Sequence, residues 1–179
     1  MSGETSYGGP LSELAGQTVS LVRVDDAYEL LWETHLLGRL ERDEGAISAE
    51  TRDGRWELRQ RSRLVARIQA VDPVSQAVAL TFTRRWLRSG GSIKDPAGHT
   101  YKLDQTRLSG DWVLSDSGKS RLLVLRSPGP QRVDIAVQAD AALPPELGLL
   151  AMLSGYVICL AQIASNLGPP GGPGRHEPL

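Results

Sequence analysis

The chain has 179 residues, of which 40% are hydrophobic and 5% aromatic. That is enough apolar material to bury one core, and with one cysteine, Cys159, no disulfide framework exists. Its 20 basic and 21 acidic side chains leave a formal charge of -1, which argues against a general nucleic-acid binder.

Residues 1–16 (MSGETSYGGPLSELAG) are rich in Gly and Ser and read as a flexible tail. They hold no basic n-region and no apolar h-region, so cytoplasmic residence is expected. From residue 17 onward, short runs of alternating apolar and polar residues are separated by regularly spaced turn signals, the pattern of a barrel or sandwich.

Thr18–Val24 and Ala27–Trp32 flank Asp25-Asp26, and Gly38–Arg42 and Ala46–Thr51 flank Asp43-Glu44-Gly45. Asp53-Gly54 suits a type I′ hairpin, because both residues tolerate positive φ, and it leads into Arg55–Gln60. Leu64–Val71 alternates Leu64, Ala66, Ile68 and Ala70 on one face with Val65, Arg67, Gln69 and Val71 on the other. A turn containing Pro73 leads to Ala77–Arg84, with Val78, Leu80 and Phe82 inward. Gly91–Lys94 and Thr100–Leu103 enclose Asp95-Pro96-Ala97-Gly98, and Asp111–Leu114, Arg121–Leu125 and Arg132–Gln138 complete about twelve short strands.

The pattern changes at Pro144. Pro144-Pro145-Glu146 suits a helix start, and LGLLAMLSGYVICLAQIA follows with no charged residue in 18 positions. A helix over 145–164 that is apolar all round belongs in a protein core or a bilayer. At about 1.5 Å per residue it reaches the lower limit for spanning. No Lys, Arg or Trp flanks it closely, and a strand precedes it through a short linker, so the core reading is preferred. No transmembrane span is expected. Residues 166–179, rich in Gly and Pro, read as a second tail, leaving one domain over 17–165.

Asp111-Trp112-Val113-Leu114-Ser115-Asp116-Ser117-Gly118 followed by Arg121-Leu122-Leu123-Val124 resembles a pattern of the tubby-like superfamily, which includes the LURP-one-related proteins and the phospholipid scramblases. So does Val133-Asp134-Ile135-Ala136-Val137 running through Leu143-Pro144-Pro145-Glu146-Leu147 into the apolar segment. The likeness spans residues 17 to 164 and rests on the order of elements. It implies a mainly β fold, a closed antiparallel barrel of about twelve strands around a buried C-terminal apolar helix. Tubby proteins bind phosphoinositides through basic side chains on the barrel. The scramblases carry an acidic segment, proposed to bind calcium, before the helix. Here that stretch reads Pro130-Gln131-Arg132-Val133-Asp134, too poor in acids for the six or more oxygen ligands that calcium takes.

Charge is unevenly distributed. Residues 1–50 carry 10 acids and 3 bases, whereas residues 51–107 carry 5 acids and 12 bases. Either neighbouring strands pair these charges across the sheet surface, or the bases form a face for an anionic partner. Candidate anion-binding residues are Arg59, Arg61 and Arg63 around one hairpin, and Arg84, Arg85 and Arg88 around Trp86. Other chemistry has little support. His35, His99 and His176 lack metal-ligand spacing, and no Gly-x-Ser-x-Gly elbow or phosphate loop is present. Asp25-Asp26, Asp43-Glu44 and the pair Asp111/Asp116 fall at expected turns, where solvation is their ordinary role.

The expectation is a non-enzymatic barrel without cofactor or metal, peripheral to the inner membrane face and binding anionic phospholipid headgroups. A structural or protein-interaction domain with no small ligand is the alternative, and scramblase-like lipid translocation a further one.

Overall fold

The structure, a computed structural model, describes residues 7–43, 45–60, 67–84 and 90–166. Twelve strands are present among them: β1 (Thr18–Val24), β2 (Ala27–Trp32), β3 (His35–Asp43), β4 (Ala46–Thr51), β5 (Gly54–Gln60), β6 (Arg67–Val71), β7 (Val78–Arg84), β8 (Gly90–Lys94), β9 (Thr100–Gln105), β10 (Trp112–Ser115), β11 (Arg121–Gly129) and β12 (Arg132–Val137). Each pairs antiparallel with its neighbours in sequence, and β12 closes onto β1, with Val19 opposite Ile135 and Leu21 opposite Val133. The result is a closed barrel, which leaves no free sheet edge.

The alternation read from the sequence decides which face of each strand turns inward. Leu21 on β1, Leu80 and Phe82 on β7, Leu103 on β9 and Ile135 on β12 are all at most 1% exposed. Twelve strands make a wall too wide for its own side chains to fill, since about eight already give an interior that side chains just occupy. The remaining axis is taken by α1 (Leu147–Asn166), in which every residue from Leu147 to Cys159 is buried. By length and mean hydropathy, 2.0, this helix passes the test for crossing a membrane, yet 72% of it lies buried inside the barrel. An apolar surface on all sides is what a helix enclosed by a sheet requires.

Close approach depends on small residues. A Cβ on Gly155 of α1 would lie 2.7 Å from a Leu21 methyl, and one on Gly38 of β3 would lie 2.9 Å from both the Met152 sulfur and the Glu50 carbonyl oxygen. On β8, a Cβ at Gly91 would meet the Phe82 ring and the Thr83 carbonyl oxygen at 2.5 Å.

Some local expectations shift. The helix starts at Leu147 rather than 145, because the Glu146 carbonyl already accepts the Leu150 N–H at 3.0 Å and the preceding prolines form the entering turn. The Glu146 carboxylate accepts the Tyr101 hydroxyl at 2.7 Å, fastening this junction to β9. The β4–β5 turn is Arg52-Asp53, with Thr51 paired to Gly54, so the expected hairpin at Asp53-Gly54 is displaced by one residue; the Thr51 hydroxyl accepts the Asp53 N–H at 3.0 Å. Residues 7–16 are part of the fold, which shortens the expected tail. A 3-10 helix at Leu11–Leu14 buries Leu11, and the Gly8 N–H bonds to the Leu36 carbonyl at 2.9 Å. Residues 1–6 and 167–179 lie outside the described residues.

Odd-numbered strands end at the opening through which α1 leaves, here termed the mouth; even-numbered strands end at the base, where α1 begins. The tight contacts of Gly91 yield a first prediction. Gly91→Ala lowers unfolding free energy by about 1–3 kcal/mol through overpacking. Gly129→Ala, whose added methyl has nothing within 4 Å, stays within about 0.5 kcal/mol of the parent protein. Paired urea denaturation curves of the two variants check this contrast.

Candidate functional site

The inner face of the described strands and α1 from Leu147 to Cys159 are almost wholly apolar and buried, so polar chemistry belongs to the outer wall and the two openings. On the outer wall, strand register brings the acidic first third against the basic middle third. Glu29, Arg39, Glu50 and Arg55 stand opposite one another on β2, β3, β4 and β5, a row of alternating sign. Arg39 also reaches Glu41 at 3.3 Å. Burial, and then the Glu50 carboxylate that accepts its hydroxyl, push the Tyr7 phenol above its usual pKa. Charges neutralise across the sheet in this sector.

Past β5 the pattern is different. One outward row runs Arg67, Thr83, Ser92, Lys102 and Ser115 across β6 to β10, and the next runs Arg59, Gln69, Thr81, Lys94 and Thr100 across β5 to β9. With strands about 4.8 Å apart, Arg67 and Lys102 are about 14 Å apart, and the two rows are separated by about 7 Å. Arg67, Lys94 and Lys102 are exposed. Among the described residues, no carboxylate lies within 4.0 Å of any of the three. Between them stand hydroxyl and amide side chains, which add hydrogen-bond donors without charge. Asp104, at the mouth end of β9, is the one carboxylate on the strands of this wall from β6 to β9.

Of the candidates read from the sequence, Arg59 lies in this wall but is already engaged. It donates to Glu57 at 2.9 Å and to the Gln76 side chain at 2.7 Å, and the same contact holds the Glu57 carboxyl below its usual range. Arg84 is exposed at the end of β7, opposite Gly91 and in phase with Phe82, so it sits on the rim of the mouth and not on the outer wall. Arg61, Arg63, Arg85, Trp86 and Arg88 lie outside the described residues. Sequence reasoning missed Lys94 and Lys102, because neither stands in a local cluster. Arg67 was visible by parity alone.

The other candidate groups do not assemble into reactive centres. Asp111 and Asp116 flank opposite ends of β10. Asp111 accepts a two-point contact from Arg126 at 3.0 and 3.2 Å, and the guanidinium holds its carboxyl below the usual range. Asp116 caps its turn by accepting the Ser120 N–H at 2.8 Å. Asp25 takes a positive φ of 54° in the β1–β2 turn, a conformation Asp tolerates. The side chains of Asp43 and Glu44 lie outside the described residues. No group of three or more His, Cys, Asp or Glu side chains among the described residues is close enough to hold a metal ion. His35 packs its ring on Trp32 at the β2–β3 turn, and His99 bonds Asp95. Burial pushes the Cys159 thiol up to about 11, which keeps it protonated and a poor nucleophile.

Comparison with known proteins names no relative: no protein-family model, no curated protein and no solved structure matches the chain.

Two predictions follow from these side chains. A thiol reagent leaves native Cys159 unmodified and labels it fully in denaturant, which mass spectrometry reads directly. Asp95 Oδ2 lies 2.6 Å from His99 Nδ1, and this contact raises the imidazole pKa above its ordinary 6.5. The stability it contributes is therefore complete below pH 6.5 and is lost as pH rises through the higher folded-state pKa. Melting curves between about pH 5 and about pH 9 show this small decline in the parent protein, and His99→Gln abolishes it.

Proposed function

We propose that this is a non-enzymatic barrel domain that docks on anionic phospholipid headgroups, phosphoinositides among them, through the wall of β5 to β9. The observation that carries the reading is the array of Arg67, Lys94 and Lys102 on neighbouring strands, interleaved with Thr83, Ser92, Thr81 and Thr100, with no carboxylate within 4.0 Å of the three among the described residues and Asp104 the one acid on β6 to β9. A structural surface of ordinary design mixes both signs, as β2 to β5 do here. A surface on which bases outnumber acids instead maintains a field that draws in anions.

Hydroxyl and cationic donors in two parallel rows suit phosphate oxygens, which accept several hydrogen bonds each. Each Lys or Arg held near an anionic bilayer contributes about 1 kcal/mol. Three such residues give attachment that is reversible and sensitive to salt. The resemblance to tubby-like proteins, whose basic barrel residues bind phosphoinositides, points the same way. Arg84, exposed on the rim, would extend the cationic surface toward the mouth. Such a protein would act in the cytoplasm at the inner membrane face.

The alternating row Glu29, Arg39, Glu50 and Arg55 favours a second reading, a protein-interaction domain whose charges are balanced internally. Scramblase-like translocation through an inserted helix would require residues 147–159, all buried, to leave the barrel and expose its apolar inner wall to water.

Vesicle sedimentation tests the proposal. The protein sediments with vesicles containing phosphatidylserine or a phosphoinositide, not with phosphatidylcholine alone, and added salt releases it. Replacing Arg67, Lys94 and Lys102 together with Ala weakens binding by about 100-fold, from about 1 kcal/mol lost at each position. Equal sedimentation with neutral vesicles, or an unaffected triple variant, defeats the reading in favour of the protein-interaction alternative.

A further inference from the structure

The mouth carries a second arrangement, on different strands from the cationic wall and independent of the proposal for it. Where α1 leaves the barrel beside β1 to β4, a cavity of about 360 Å³ opens between the helix and the strand ends. Its floor is apolar: Leu40 and Ile47 from the wall, Leu160 and Ile163 from the helix. Above that floor sit two arginines, Arg23 and Arg42, and two tyrosines, Tyr28 and Tyr156.

Register explains why the arginines are there. Arg23 is opposite Tyr28 and Arg42 is opposite Ile47, both in phase with the inward residues of β1 and β3. Deeper on the same two strands the residues in phase with them, Val19 and Leu21 on β1 and Gly38 and Leu40 on β3, are apolar or Gly and buried. A guanidinium at such a position costs little only at the opening, where it can reach water. Nothing in the core requires one, and here there are two.

Their partners are incomplete. Arg23 Nε donates to the Asp25 carbonyl at 3.1 Å, and Arg42 bonds the Tyr156 hydroxyl. A guanidinium carries five donors, so each keeps several in hand. Among the described residues no carboxylate comes within 4.0 Å of either. Two acids also border the cavity. Glu41 belongs to the outward phase and is bound to Arg39 at 3.3 Å, and Asp26 occupies the β1–β2 turn. The Tyr28 and Tyr156 rings meet edge to face, 6.1 Å between centroids at 75°, forming a stiff side wall between floor and cations.

A concave apolar surface with a few converging polar groups is the general form of a small-molecule site, and the volume is within the usual range. At about 30 Å³ for each water-sized group, the space takes about a dozen non-hydrogen atoms. The two ends of the cavity call for opposite properties: an anionic head that two guanidiniums can clasp through paired hydrogen bonds, and a hydrocarbon tail. We infer that the mouth cavity binds a medium-chain carboxylate of about eight to ten carbons, with its head on Arg23 and Arg42 and its tail along Leu40, Ile47, Leu160 and Ile163.

Isothermal titration of the full chain with decanoate tests this, with decanol and decyltrimethylammonium as matched probes of equal tail length. The expected result is saturable binding of one decanoate per chain with a change in tyrosine emission, at least about ten-fold tighter than decyltrimethylammonium. Arg42→Gln and Arg23→Gln each weaken decanoate by about ten-fold or more and leave decanol unchanged. Ile163→Trp, at a half-exposed helix position, fills the tail space and weakens both decanoate and decanol. It also decides the matter should an arginine variant fail to fold. Equal binding of the cationic probe, decanoate affinity undiminished in the Arg23→Gln/Arg42→Gln double variant or in Ile163→Trp, or no saturable heat below the micelle concentration would overturn the inference.

Discussion

Everything in this molecule follows from the fit between a twelve-stranded wall and the helix on its axis. The wall is closed by β12 pairing with β1, so its backbone is satisfied, but its inner face encloses more space than its own side chains occupy. Helix α1 occupies that space, and its apolar residues from Leu147 to Cys159 are buried because the closed wall surrounds it. Neither part is viable alone: an empty barrel would hold wet apolar walls, and the bare helix would suit only a bilayer. Gly155 and Gly38 let the two surfaces reach contact distance, while the Tyr101–Glu146 hydrogen bond fixes where the helix enters.

That fit also dictates where function can reside. An apolar core offers few polar groups to a ligand, and the buried thiol of Cys159 is held protonated by desolvation. Polar chemistry is displaced to the outer wall and the mouth. On the outer wall the sheet divides into two electrostatic sectors. Across β2 to β5 the signs alternate, and each exposed pair contributes little to stability in water. Across β6 to β9 bases stand among hydroxyl groups, and their common sign produces a field instead of pairs.

The mouth differs from both. Its arginines occupy inward positions, beside aromatic rings and an apolar floor, in a less polar setting than the open wall. Charge there acts at short range and with directional hydrogen bonds, which favours one small anion over an extended surface. The wall and the cavity thus select for different ligand shapes even though both select for negative charge.

The strands were legible in the sequence because a period of two with turn residues between runs is a local signal. Thr18–Val24, Ala27–Trp32 and Ala46–Thr51 have the boundaries that alternation alone predicts. The uncharged run after Pro144 was equally plain, but its environment was not, since length and hydropathy describe a core helix and a membrane span alike. Closure of the barrel around it decided that question. The site was legible only in part. Local clustering singled out Arg59 and Arg84, yet the first is taken by Glu57 and Gln76 and the second sits on the rim. Lys94 and Lys102 became neighbours of Arg67 only through cross-strand register, and Arg23 and Arg42 share a cavity only because β1, β3 and the helix end converge there. Periodicity along the chain determines which face a residue takes, whereas which residues meet across strands depends on hydrogen-bond register and closure, properties that no single stretch of sequence contains.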